Sequence, residues 1–370
     1  MADPTREPDM NDAGPLVPPS ILLVKLSAIG DVIQTLPMAE ALKRQAPGAR
    51  IDWLVEEEAS ELLVGHPALD RVIVSRRRTW LKRLFRKGQI RETLREIGRF
   101  LRELRSRDYD LVIDNHGILK SGLLVFLSRG KRKVGYRRSA GIADEGSYLF
   151  THERYKPLSI ERHALERYLD LIAQMGVPVD GAELHYPVPP EASRKAEDLL
   201  RSKGPFCRPL VVIHPLAKWE TKQWPREKFS RLISALTRRK ISVAVTGSVQ
   251  DVGPVKEILE GVEGPAAVLD LTGKTSLKEL AAIFSLADLV LSVDTGPMHL
   301  AAAVKAPLIA LFGPTAPWRT GPYGDRSRVL RKDLACSPCF KETCSTMECM
   351  RSLSVEEVME AALEKLGVER

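Results

Sequence analysis

Leu289-Val290-Leu291-Ser292-Val293-Asp294-Thr295-Gly296-Pro297-Met298-His299 decides how the chain is read. Its first five residues form a short, apolar, β-branched run, the pattern of a buried strand. Leu300-Ala301-Ala302-Ala303-Val304 is small and apolar, which suits a helix packed closely on a sheet. Between the two, Gly296-Pro297 marks a turn, with Pro297 in the first helical turn, where its missing N–H is tolerated. A strand, a tight turn and a helix N-terminus follow, and the open N–H groups and dipole of such a terminus attract an anion. Asp294 or Thr295 also has a plainer reading as a helix cap. His299, a further polar group on the same first turn, favours a nucleotide-diphosphate site.

The same half of the chain opens at Leu210-Val211-Val212-Ile213-His214, a second apolar strand. Lys222, in the Lys218–Pro225 segment after it, is placed to meet a diphosphate. Ile241–Val245 is another strand and enters the small-residue turn Thr246-Gly247-Ser248. Asp251, just beyond, reads either as a ligand for ribose or base or as a cap. The Val268–Thr275 run resembles a phosphate-binding P-loop, but Val268 stands where the upstream glycine is required, so that reading is rejected. Thr275, at the end of the run, stays a candidate on the nucleotide side. Ser276-Leu277-Lys278-Glu279 is a capping box, which starts a helix leading into the Leu289 strand.

In the first half, Ile21–Leu26 reads as a strand, Ser27–Asp31 as a small-residue turn, and Val32–Gln45 as a helix. A strand feeding a helix through a glycine turn is the opening of an α/β unit, whose ligands sit at the carboxyl ends of the strands. No G-x-G-x-x-G fingerprint is present, so a dinucleotide is not indicated. Asp31 has two readings: an N-cap, or a carboxylate able to take a proton from a substrate hydroxyl. Ile51–Val55, Val72–Val74 and Leu111–Asp114 are further strands, and Lys120 falls near the carboxyl end of the last. Arg76, Arg77, Arg78, Trp80, Lys82 and Arg83 interleave cations with an aromatic without helical period, so the segment reads as a loop for phosphates, carboxylates or an anionic membrane surface. From Ile90, Leu94, Ile97, Leu101 and Leu104 recur at helical spacing among arginines.

At 370 residues the chain exceeds one core, and two domains are expected. Residues 1–20, rich in Pro and Asp, read as a disordered leader without the features of a secretory signal. Residues 21–190 and 209–335 read as two α/β domains, 191–208 as a hinge containing one helix, and 336–370 as a cysteine-rich segment with a last helix. No apolar run approaches the roughly 20 residues that span a bilayer, and a cytoplasmic protein is expected. The net charge of +8 points to an anionic partner. That charge is local and no nucleic-acid-binding module is present, so nucleic acid is not expected. Cys336, Cys339, Cys344 and Cys349 are close enough in sequence for a structural zinc or an iron–sulfur cluster, yet the spacing fits no standard module, and free thiols are the alternative.

Leu26-Ser27-Ala28-Ile29-Gly30-Asp31 with Thr35-Leu36-Pro37, paired with Ser292–Leu300, resembles the family-nine glycosyltransferases, the lipopolysaccharide heptosyltransferases. The resemblance runs from about Ile21 to Tyr323. Asp52–Glu57, His66–Ile73 and the basic, tryptophan-containing segment after them look most like the heptosyltransferase I branch. It implies a GT-B fold, two Rossmann-like domains facing across a cleft, and metal-independent, inverting transfer of heptose from ADP-heptose to the Kdo residues of Kdo-lipid A. It also implies a peripheral position at the inner face of the cytoplasmic membrane. By motif position Asp31 matches the general base; Lys222, Asp294, Thr295, Gly296 and His299 match the donor site, with Asp251 near its nucleoside. Ser27, Gly30, Arg76, Arg77, Arg78 and Lys120 fall on the acceptor side. Alternatives are heptosyltransferase II, a relative using another sugar nucleotide, and a non-catalytic nucleotide- or anion-binding protein. Pro215-Leu216-Ala217 departs from the hydroxyl-rich run of some members, and the transfer chemistry leaves the cysteines unexplained.

Overall fold

Twelve strands, β1 (Ser20–Val24), β2 (Arg50–Glu56), β3 (Arg71–Ser75), β4 (Tyr109–Asp114), β5 (Gly130–Tyr136), β6 (Glu153–Tyr155), β7 (Leu210–His214), β8 (Ser242–Val245), β9 (Val268–Asp270), β10 (Leu289–Val293), β11 (Leu308–Phe312) and β12 (Ser327–Arg331), form two six-stranded sheets. They are seen in a computed structural model that describes residues 17–86, 88–139, 141–202, 208–264 and 268–368. All pairings are parallel, and the orders are β3-β2-β1-β4-β5-β6 and β12-β11-β10-β7-β8-β9. Counted from its own first strand, each sheet has the doubly wound 3-2-1-4-5-6 order. Ligands in such sheets bind where the order reverses, outside the carboxyl ends of the two central strands. Those ends belong to β1 and β4 in one sheet and to β7 and β10 in the other.

Contacts divide the chain into two units. The first runs up to Leu26 and includes Pro37–Ser159 and Glu166–Ala182; the second comprises Ser27–Leu36, Ile160–Leu165 and everything from Glu183. In the first, Leu22, Val24, Leu54, Ile73 and Val112 on one sheet face pack against Trp80, Phe100, Leu104 and Val125. In the second, Val211, Ile213, Leu289, Leu291 and Val293 pack against the Arg226–Arg238 and Val355–Leu366 helices. Strands buried on both faces read as continuous apolar runs, which is why β7 and β10 were legible.

The expected capping boxes are present. Ser276 Oγ accepts from Glu279 N at 3.3 Å, and Ser354 Oγ accepts from Glu357 N at 3.1 Å. Val358, Ala361 and Ala362 of the last helix are buried, as their spacing requires. Of the expected 1–20 leader, residues 1–16 lie outside the described residues; Val17 is buried and Ser20 opens β1. The expected hinge holds the Pro190–Arg201 helix, while its Gly204-Pro205 lies outside the described residues.

One expectation is corrected. Arg76–Arg83 is not an irregular loop: Arg77–Leu84 is a helix. Trp80 fixes it, packing its ring at a tilt on Phe100 at 5.2 Å and donating to Glu96 Oε2 at 3.0 Å, while Arg83 pairs with the other oxygen of Glu96 and Arg77 and Arg78 with Glu56. With only eight residues, one anchor replaces the periodic stripe that sequence reading looks for.

Candidate active site

β10 ends at Val293, and the chain turns through Asp294 and Thr295 into the Gly296–Ala303 helix. Thr295 occupies the N-cap without a side-chain capping bond. Asp294 does not cap either. Its carboxylate is buried, 2.8 Å from Lys222 Nζ, and accepts from Thr315 Oγ1 at 2.6 Å. Lys222 closes a short turn after β7 and lies 4.6 Å above the Trp219 ring, which restricts where its ammonium can go. The helix therefore keeps its N-terminal N–H groups clear of side-chain caps, with a lysine held beside them. That arrangement suits a phosphate.

Ser27–Leu36 is part of the same unit and carries Asp31. The helix begins at Ile29, three residues before the expected Val32, so Asp31 sits at its third position and is not its N-cap. One carboxylate oxygen, Oδ2, accepts from Ala28 N at 3.1 Å, the return half of a capping box. This bond fixes the carboxylate's orientation while the residue stays partly exposed.

Gln34 and His299 complete the arrangement. Gln34 Nε2 and His299 Nδ1 are 2.8 Å apart, both side chains buried. Gly30 makes this possible, because a Cβ there would lie 2.4 Å from His299 Cδ2. A Cβ on Gly296 would likewise meet Ile29 Cβ at 2.9 Å. Gly30→Ala is expected to cost about 1–3 kcal/mol by overpacking. Thermal unfolding checks this against Gly98→Ala, whose Cβ meets nothing and whose stability should hold or rise.

Burial drives the His299 imidazole down to about 4, against the pull of Asp294 and Asp31. His214, bonded through Nδ1 to Thr246 Oγ1 at 3.0 Å, is lowered to about 4 by burial as well. Both are neutral at pH 7; Gln34 Nε2 donates to the His299 Nδ1 lone pair, which leaves the Nε2–H of that ring as a donor. Unfolded histidine titrates near 6.5, so between about pH 6.5 and 4 the unfolded chain binds more protons. Stability from the two is full above that window and is lost as the pH falls through it, by about 3 kcal/mol for each. His299→Gln should remove about half of this acid-side slope in urea unfolding followed across pH.

The remaining candidates fall in separate places. Asp251 Oδ2 accepts from both Ser248 N and Ser248 Oγ at 2.7 Å, bonding back to the turn before it, and makes no side-chain cap bond to the Val252–Glu260 helix; His214 lies in range of its charge. Thr275 lies in the turn before the Leu277–Leu286 helix. In the first unit Glu56, buried at the end of β2, gathers cations: Lys120 Nζ at 3.2 Å, Arg77 Nε at 3.4 Å and Arg78 Nε at 3.6 Å. Arg76 pairs with Glu57 at 3.1 Å. Of the four thiols, Cys336 and Cys344 are exposed, whereas Cys349 is buried with Sγ turned to Gly313 and has Cys339, Cys336 and Cys344 in electrostatic range. Among the described residues no group of three His, Cys, Asp or Glu side chains is arranged to hold a metal ion.

Sequence reading missed Gln34, Thr315 and a cavity of about 190 Å³ at the carboxyl ends of β1 and β4. Lys25, Asn115, His116, Tyr136, Arg167 and Tyr168 line it. Lys25 is buried, donates to Asn115 O at 3.1 Å and sits 3.6 Å from the Tyr168 ring centre. Gln34 carried a signal, a polar residue one turn after Asp31 on a helix otherwise apolar at that face.

The model of glycosyltransferase family 9 (heptosyltransferase) matches residues 97–350. The chain belongs to this family. It is 37% identical over 334 residues to lipopolysaccharide heptosyltransferase 1 of Pseudomonas aeruginosa, covering 88% of this chain and 87% of that protein. Lipopolysaccharide heptosyltransferase 1 of Escherichia coli K12 is 31% identical, over 84% of this chain and 93% of its own. The structure of E. coli heptosyltransferase WaaC with ADP superposes with a TM-score of 0.75 at 29% identity, covering 93% of this chain and 99% of that one. The chain is thus a family-9 glycosyltransferase of GT-B fold, and its two doubly wound sheets are that fold's Rossmann-like domains.

Proposed function

We propose that this family-9 enzyme moves L-glycero-D-manno-heptose from ADP-heptose to the Kdo region of the lipopolysaccharide inner core, as a heptosyltransferase I. The observation that carries the reading is the uncapped helix N-terminus after Asp294 with Lys222 held beside it, in a chain 37% identical to a heptosyltransferase 1. In the proposed reaction Asp31 takes the proton of a Kdo hydroxyl as that oxygen attacks heptose C1 from the face opposite ADP. The C1–oxygen bond to the diphosphate breaks with its electron pair on ADP, and the anomeric centre inverts. Lys222 and the N–H groups of the Gly296–Ala303 helix take up the charge that grows on the departing phosphate, the role fixed donors play at developing charge. Thr295, Gly296 and His299 shape the donor site, with Thr275 and Asp251 toward the nucleoside. On the acceptor side, Ser27 and Gly30 border the attacking hydroxyl. The cations around Glu56 and the Lys25–Arg167 cavity are the proposed seats of the sugar acids, whose carboxylates such groups bind. The proposal places the enzyme in the cytoplasm, peripheral to the inner membrane where a lipid-linked acceptor resides.

A donor panel tests the sugar nucleotide. With ADP-heptose, ADP-glucose, a UDP-sugar and a GDP-sugar offered to one Kdo acceptor, ADP-heptose should give a kcat/KM at least about 100-fold above the others. Equal or better turnover of another donor would move the chain to a different branch of the family.

A further inference from the structure

Three helices of the first unit, Arg77–Leu84, Ile90–Leu104 and Leu119–Leu127, contribute Trp80, Phe100, Leu104 and Val125 to one core cluster, so they cover the same face of its sheet. Those inward side chains already fill the core. The outward sides are nonetheless apolar. Leu81, Phe85, Ile90 and Leu94 are exposed as two i, i+4 pairs, with Phe85 at 89%. Leu119, Leu123 and Phe126 on the next helix and Leu149 beside it are exposed too, the last two at 61% and 66%. On the Ile90–Leu104 helix Thr93, Phe100 and Leu104 are buried, and Leu94 is exposed. Scattered exposed leucines need no explanation; a face that collects eight large apolar side chains does.

Charge identifies the occupant. Between Arg76 and Arg107 the sequence holds thirteen Lys and Arg against three Glu. Arg91, Arg95 and Arg99 are exposed on the same helix as Ile90 and Leu94 and have no carboxylate partner among the described residues. Arg154, exposed and 5.9 Å from the Tyr148 ring, places a cation beside the second apolar group. Apolar side chains interleaved with unpaired guanidinium groups match an anionic lipid surface: the first enter the acyl boundary and the second meet phosphates. No described helix is long and apolar enough to cross a membrane, so contact through this face is interfacial.

We propose that the outer face of these three helices is the surface by which the enzyme docks on an anionic lipid bilayer. This deepens the heptosyltransferase reading, on which it rests for the location of the acceptor, but its test uses neither donor nor acceptor. Wild-type protein is co-sedimented with vesicles of phosphatidylglycerol and phosphatidylethanolamine and with vesicles of phosphatidylcholine alone. Two variants are compared, Phe85→Ser/Leu94→Ser/Phe126→Ser and Arg91→Glu/Arg95→Glu/Arg99→Glu; every changed residue is exposed, and circular dichroism checks that the folds are kept. The wild type should bind the anionic vesicles at least tenfold more strongly than the neutral ones. The serine variant should lose at least tenfold at low and high salt, and the glutamate variant should lose the salt-sensitive part. Both variants should keep their activity on a water-soluble Kdo acceptor without acyl chains, which separates this surface from the reaction itself. Wild-type protein that stays in the supernatant, or variants that bind like wild type, would overturn the proposal. So would sedimentation velocity showing a wild-type dimer that the serine variant abolishes, since a second copy would then be the occupant.

Discussion

Asp31→Ala should lower the rate of ADP release from ADP-heptose by at least about 100-fold, with donor affinity changed by no more than about threefold. The expectation follows from where the carboxylate is and what holds it. Asp31 sits at the third position of the Ile29–Gln45 helix, with Oδ2 on the Ala28 amide and the residue partly open to solvent. A carboxylate that served the helix alone would contribute on the order of 1 kcal/mol to its stability and little to turnover. A general base contributes about 10²–10⁴-fold to the rate. The two roles separate cleanly when thermal unfolding and turnover are measured on the same variant. Asp31→Asn sharpens the comparison, because its amide keeps an oxygen for the Ala28 N–H yet cannot take a proton. It should unfold with the wild type and turn over like the alanine variant.

Lys222→Met has the second large effect, and it acts twice. Lys222 Nζ lies 2.8 Å from the buried Asp294 carboxylate, whose other partner is the Thr315 hydroxyl. Without the lysine that carboxylate is left with a neutral donor, and the loss is about 3 kcal/mol. Urea unfolding should show it. Lys222→Met/Asp294→Asn removes the buried charge along with its partner and should recover most of that stability. Catalysis should not recover: ADP release from ADP-heptose is expected to remain at least about 100-fold down in both, because the cation beside the diphosphate is still missing. Equal recovery of stability and turnover in the double variant would assign Lys222 to the fold alone.

These two residues also show how far the sequence could be read. Lys222, Asp294 and His299 were legible because each follows a strand whose apolar run is unbroken, and a doubly wound sheet puts such positions at its carboxyl edge. That Asp294 answers Lys222 and not the helix amides was not legible, since strand order alone brings β7 beside β10 and local spacing cannot say so. Gln34 and Thr315 were hidden for the same reason: one lies 265 residues from its partner and the other 21. β5 is not among the strands legible in the sequence. Its Gly130-Lys131-Arg132-Lys133 half masks a strand in which Lys133 is buried, bonded to the Phe126 and Ser128 carbonyls, and Val134–Tyr136 are packed. The acidic residues Glu56, Glu57 and Glu58, which organise Arg76, Arg77, Arg78 and Lys120, lie at or just after the end of a different strand from the ones their partners follow. Sequence shows the cations and conceals what holds them. Composition did expose the basic character of the first unit, and the structure adds the apolar side chains set among those cations.

The most direct test of the account is the product itself. Wild-type enzyme, ADP-heptose and a deacylated Kdo acceptor are incubated together, and the acceptor is examined by mass spectrometry and proton NMR while ADP is counted. The account predicts one heptose added per ADP released, at a Kdo hydroxyl, with the anomeric configuration inverted from that of the donor. ADP released without a matching gain on the acceptor, or a product that retains the donor's configuration, would contradict it.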